Sequence, residues 1–72
     1  MNCHSKEHRV NQELFSLIGD GYEIASRQVS HAGEEIRLRH KQSNRRLTLL
    51  WFPRLSYLQL CDNKRILKAE IL

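Results

Sequence analysis

Residues 35–41 alternate without a break: Ile36, Leu38 and His40 fall on one side, and Glu35, Arg37, Arg39 and Lys41 on the other. A period of two marks a β-strand with one face in a core and one in water. Such a strand needs further strands beside it and an apolar layer beneath it, because an isolated hairpin is not stable in water. The neighbouring segments can supply both. Residues 46–52 set Leu47, Leu49 and Trp51 against Thr48, Leu50 and Phe52. Both sets are largely apolar, which predicts a central strand covered on both sides. Pro53 ends it, since proline cannot donate to a ladder. Gln42-Ser43-Asn44-Arg45 is rich in turn formers and predicts a hairpin between the two strands. Upstream, Tyr22, Ile24 and Ser26 alternate with Glu23, Ala25 and Arg27, a strand over 22–30 whose pattern weakens after Ser26. His31-Ala32-Gly33-Glu34 reads as the turn that follows.

Residues 5–18 have the helical period. Val10, Leu14, Leu17 and Ile18 fall on one face and Phe15 widens the stripe. Ser5 is placed to cap the start, with Glu7 in the first turn, and Gly19-Asp20-Gly21 stops the helix. After Pro53 the period is ambiguous. Leu55, Leu58 and Cys61 suit a helix, Leu58 and Leu60 a strand, and 66–72 fits either. The expected fold is α+β: one domain over 1–72, frayed at 1–4. Its N-terminal helix packs through Val10, Leu14 and Ile18 on a three- to four-stranded antiparallel sheet. A C-terminal strand or helix closes it, and the Arg37/Arg39/Lys41 face stays open to solvent.

A chain of 72 residues buries only roughly 60% of its unfolded surface, which leaves little room for a large catalytic cleft. Its longest apolar run, Leu49-Leu50-Trp51-Phe52, is far short of the ~20 residues of a membrane span. The polar N-terminus lacks a secretory pattern, so a cytoplasmic location and two reduced cysteines, Cys3 and Cys61, are expected.

Charge divides the chain. Residues 1–35 carry three basic and six acidic side chains, and residues 36–72 carry nine basic and two acidic. No acid occurs between Ile36 and Leu60. A basic segment of this kind attracts anionic partners. Arg37, Arg39 and Lys41 project from one face of one strand at intervals of ~6.6–7 Å, a pitch close to that of phosphates along an extended single strand. Arg45, Arg46 and Arg54 could extend the patch. Contacts of this type give salt-sensitive, weakly sequence-selective affinity. A solvated, solubilising strand face is the plainer account of the same residues. No aromatic shares that strand's basic face, and Trp51 and Phe52 are expected in the core.

Other chemistry is thin. His4 and His8 share a helix face with Cys3 nearby, but match no zinc spacing, and neither metal nor cofactor is expected. His40, in the apolar register, reads as a half-buried, hydrogen-bonded side chain, and His31 as a turn residue. No nucleophile or carboxylate pair accompanies them.

The order of the N-terminal helix, Gly21-Tyr22, Ser30-His31, Arg39-His40 and Arg45-Arg46-Leu47-Thr48 resembles the first two-thirds of the HicA-type mRNA interferase toxins. That resemblance implies a fold like the double-stranded RNA-binding domain, closed by a C-terminal helix, with His31 as the catalytic histidine. Val29-Ser30-His31 stands where the family has Gly-Ser-His, and the stretch from His31 to His40 is longer than the family's. His31-Ala32-Gly33 followed by Arg37-Leu38-Arg39 also resembles the small hemin-uptake proteins, with Ile36 in place of their aromatic residue. Each match covers fewer than half of the residues.

The leading expectation is a non-enzymatic regulatory protein. It would present its basic sheet face to nucleic acid or to an acidic surface of the transcription or nucleic-acid machinery, as small host- or phage-encoded regulators do. The alternatives are a HicA-like ribonuclease using His31, and a protein–protein module that forms a homodimer through a strand edge.

Overall fold

The structure is a computed structural model. It describes the backbone of residues 3–63 and 65–72 and the side chains of residues 7–63 and 65–72. Helix α1 (Cys3–Gly19) leads into strands β1 (Tyr22–Val29), β2 (Glu34–His40), β3 (Arg46–Phe52), β4 (Tyr57–Asp62) and β5 (Arg65–Ile71). A 3-10 turn (Pro53–Leu55) lies between β3 and β4. Every strand pairs antiparallel with its sequence neighbour, so the five-stranded sheet runs in the order β1-β2-β3-β4-β5. The α+β class is as expected. The strand count is five instead of three or four, because both ambiguous segments after Pro53 are strands. The closing helix implied by the likeness to the HicA-type toxins is therefore replaced by β4 and β5. The expected cap Ser5 has its side chain outside the described residues, and Met1 and Asn2 lie outside them altogether.

One face of the sheet is covered by α1. Val10, Leu14 and Leu17 of the helix pack with Tyr22, Ile36, Leu38, Leu47, Leu49, Trp51, Leu58 and Leu60 in a single core. Ile18 and Phe15 are exposed, which corrects the expected stripe. The buried arc of α1 is rotated toward Glu13, itself only 8% exposed. The reason lies on β5, whose helix-facing positions are charged. Glu13 accepts hydrogen bonds from Lys68 Nζ at 3.2 Å and from Arg9 Nη1 at 3.1 Å. Arg9 also donates to both carboxylate oxygens of Glu70, at 2.7 and 3.2 Å. These bonds, Glu70's first, raise the Arg9 pKa. Helix and edge strand are thus joined by a four-residue ionic chain.

Among the described residues the other face has no second layer. Strand β3 is central, but it is covered on one side only. Thr48, Leu50 and Phe52 are half-buried among neighbouring strands, which corrects the expectation that Phe52 belongs to the core.

Two glycines set the turns. Gly21, at φ +103°, reverses the chain after α1, where the Asp20 amide donates to Ser16 O and Leu17 O. Gly33 closes the β1–β2 turn by accepting from Ser30 N at 2.8 Å, and a Cβ there would fall 2.1 Å from Trp51 O.

Candidate anion-binding face of the sheet

Alternation along β2 sends Ile36 and Leu38 to the core and Glu35, Arg37 and Arg39 to the open face. The β2–β3 register pairs Arg37 with Thr48 and Arg39 with Arg46, so side chains of both strands share that face. Arg37, Arg39 and Arg46, with Ser26 of β1 and Thr48, line an open groove of about 540 Å³.

The arginines are not equivalent. Arg37 Nε donates to Glu35 Oε2 at 2.6 Å. Arg39 Nη2 donates to Glu23 of β1, which the β1–β2 register sets directly opposite. That bond, supported by the charges of Arg39 and Lys41, lowers the Glu23 pKa below the usual carboxylate range. Among the described residues Arg46 has no acidic partner, and it sits directly across the ladder from Arg39. Like charges placed opposite on neighbouring strands destabilise a sheet. A bound anion would remove that repulsion.

The remaining expected residues fall elsewhere. Lys41 extends the face beyond the end of β2, close enough to act on Glu23. Arg45 alternates to the opposite side of the sheet from Arg46 and is bound to Asp62, with Nε and Nη2 at 3.1 and 2.7 Å from Oδ2. That pairing raises the Arg45 pKa. Arg54 lies in the 3-10 turn and lines a second groove of about 440 Å³ with Val10, Arg27, His31 and Trp51. The open-face groove therefore unites Arg37, Arg39 and Arg46, with Lys41 at its margin, and leaves out Arg45 and Arg54.

Two features of the face were not read from the sequence. The hydroxyl side chains Ser26 and Thr48 join the groove through cross-strand register, which residue order alone does not give. Phe52 and Tyr57 form a stacked pair on the same face, with ring centroids 6.1 Å apart and an interplanar angle of 25°. Aromatics absent from β2 are thus supplied by β3 and β4.

His40 is tied into the fold. Its Nδ1 accepts from the amides of Gln42 and Ser43, both at 3.2 Å, and Nε2 lies 3.1 Å from Asp20 O. Its ring meets Tyr22 edge-on at 4.9 Å. This histidine braces two turns, in keeping with the half-buried, hydrogen-bonded side chain expected. His31 is exposed in the β1–β2 turn. Among the described residues no cluster of three or more His, Cys, Asp or Glu could hold a metal, Cys61 is a free thiol, and no helix is long and apolar enough to cross a membrane. Comparison with protein-family models, with curated proteins and with solved structures finds no match to this chain.

Proposed function

We propose that this chain is a non-enzymatic regulatory protein that holds nucleic acid on the open face of its sheet. The observation that carries this reading is the opposition of Arg39 and Arg46, two guanidinium groups in register on an exposed groove that also contains Arg37. Such a pair is costly in the free protein and favourable around a phosphate, which takes guanidinium hydrogen bonds in pairs. Ser26 and Thr48 add hydroxyl donors. The Phe52–Tyr57 pair, farther along the same face, suits stacking with unpaired bases and favours a single strand over a duplex.

The test is a fluorescence-anisotropy titration of labelled single-stranded RNA and of duplex DNA across a salt series. Three phosphate contacts on a single strand predict a slope of about −2 in log K against log salt. The Arg37→Glu/Arg39→Glu variant is expected to lose binding while keeping its fold, and Arg45→Gln is expected to bind like the parent chain. Unchanged binding by the double reversal removes the proposal. Absence of any shift at low salt would move the same face to an acidic protein partner.

A second reading, ribonuclease action, is favoured by one observation: His31 and Arg54 line the same groove, an acid–base group beside a cation. It predicts shortened RNA in the titrated samples and loss of that cleavage in His31→Ala.

A further inference from the structure

Strand β5 is one edge of the sheet, and we propose that it is the dimerisation surface of this chain, pairing antiparallel with β5 of a second copy about a two-fold axis at Ala69. The reading is independent of nucleic-acid binding.

An exposed apolar edge strand is a template for pairing with another chain. Along β5, Ile66, Leu67 and Ile71 are 58%, 43% and 78% exposed. The backbone phase is set by the hydrogen bond from Leu72 N to Ser56 O at 2.8 Å. With Leu72, Glu70 and Lys68 directing their amides and carbonyls to β4, alternation turns those of Ala69 and Ile71 toward the free edge. The β5 edge therefore offers an unused ladder.

Charge then selects the register. Centring the axis on Lys68 would set Lys68 against its own copy, and centring it on Glu70 would oppose two carboxylates. Centring it on Ala69 sets Lys68 against Glu70 of the second copy twice over, on the helix side of the sheet. On the open side it brings Ile71 toward the bulged Leu67 of the second copy, again twice. Ala69 meets Ala69 in a hydrogen-bonded pair on the axis, where a small side chain obstructs neither edge. One register thus satisfies backbone and charge pairing together, with exposed apolar side chains near its ends. Lys68 and Glu70 already bind Glu13 and Arg9 within the chain. The new pairs would extend that chain of alternating sign across both molecules: Arg9, Glu70, Lys68 of the second copy, then its Glu13. A C2 interface requires this kind of self-complementarity.

The test is sedimentation velocity over a concentration series on three samples: the parent chain, Ala69→Glu and Ala69→Lys. The parent is expected to dimerise. Each variant alone is expected to be monomeric with an unchanged far-ultraviolet circular dichroism spectrum, because like charges meet at the axis. An equimolar mixture of the two is expected to recover the dimer. A parent chain that stays monomeric to its solubility limit, a single variant that dimerises like the parent, or a mixture that stays monomeric overturns the proposal. An Ala69→Cys variant in a Cys3→Ser/Cys61→Ser background gives a second readout less dependent on tolerance of a new charge. Residues in a hydrogen-bonded antiparallel pair lie at about 5.5 Å between Cα atoms, within disulfide range. Mild oxidation is expected to yield a covalent dimer, and a chain that stays uncrosslinked overturns the register.

Discussion

A methyl group on Gly33 would fall 2.1 Å from Trp51 O, a backbone atom that cannot move without shifting β3. Gly33→Ala is therefore expected to cost about 1–3 kcal/mol through overpacking, read as a lower urea midpoint at unchanged m-value. The arginines of the open face show the opposite economy. Arg46→Thr removes a like-charge opposition to Arg39 and puts a good strand former in its place. Its expected outcome is an unchanged or higher Tm together with weaker RNA binding, a combination that a purely structural arginine would not give. Glu23 has its pKa lowered, chiefly by the Arg39 hydrogen bond. Its stabilising contribution is therefore present above its unfolded pKa and lost as pH falls through the lower folded value. Protonation also releases Arg39. Glu23→Gln should mimic that release at neutral pH, weakening the tie between β1 and β2 and tightening RNA binding; equal or weaker affinity would show that Glu23 does not compete for Arg39. Arg37 and Arg39 were legible as a pair because alternation along one strand is local information. Arg46 was legible as a basic residue, but its place opposite Arg39 was not, since register belongs to two strands at once.

At the scale of elements, β2 and the β2–β3 hairpin could be read directly, because residues 35–39 alternate between charged and apolar. The strand character of β5 could not. Leu67 is the extra residue of a bulge where the β4–β5 register shifts, and this breaks the alternation. Two helix-facing positions, Lys68 and Glu70, are charged instead of apolar, and their partners lie 55 and 61 residues earlier in the chain. The same pairing explains the rotation of α1 away from Phe15 and Ile18. Glu13→Ala would leave Lys68 without its carboxylate and Arg9 with Glu70 alone, at an expected cost of about 1–3 kcal/mol for losing charged hydrogen bonds at a buried acceptor. Phe15→Ala, on the exposed side of the same helix, is expected to stay within about 0.5 kcal/mol of the parent. Urea denaturation of the two variants side by side would check the rotation. Equal losses would mean that the apolar stripe of the sequence, and not the ionic chain, orients the helix.

For the molecule as a whole, antiparallel pairing partly undoes the charge division of the sequence. Glu23 of β1 comes from the acidic half and Arg39 of β2 from the basic half, and the register brings the two together. The positive face that remains is a groove instead of a uniform stripe. The more consequential asymmetry is between the two faces of the sheet. The single helix covers one, and at 72 residues the chain holds one core. Adjacent leucines of β3 measure the difference. Leu49 is 1% exposed and sits beneath α1 among Ile36 and Leu60. Leu50, the next residue, is half-buried on the face without a helix, between Glu35 and Gln59. Leu49→Ala is expected to cost about 2–5 kcal/mol, a large share of the roughly 5 kcal/mol at the low end of domain stability, so the variant should be partly unfolded at physiological temperature. Leu50→Ala removes the same atoms one position along and should leave most of the stability in place, because its side chain is already in contact with water. Thermal melts of the two variants decide the point. Similar losses would mean that the open face is covered by a second layer, supplied by a partner or by another copy of the chain.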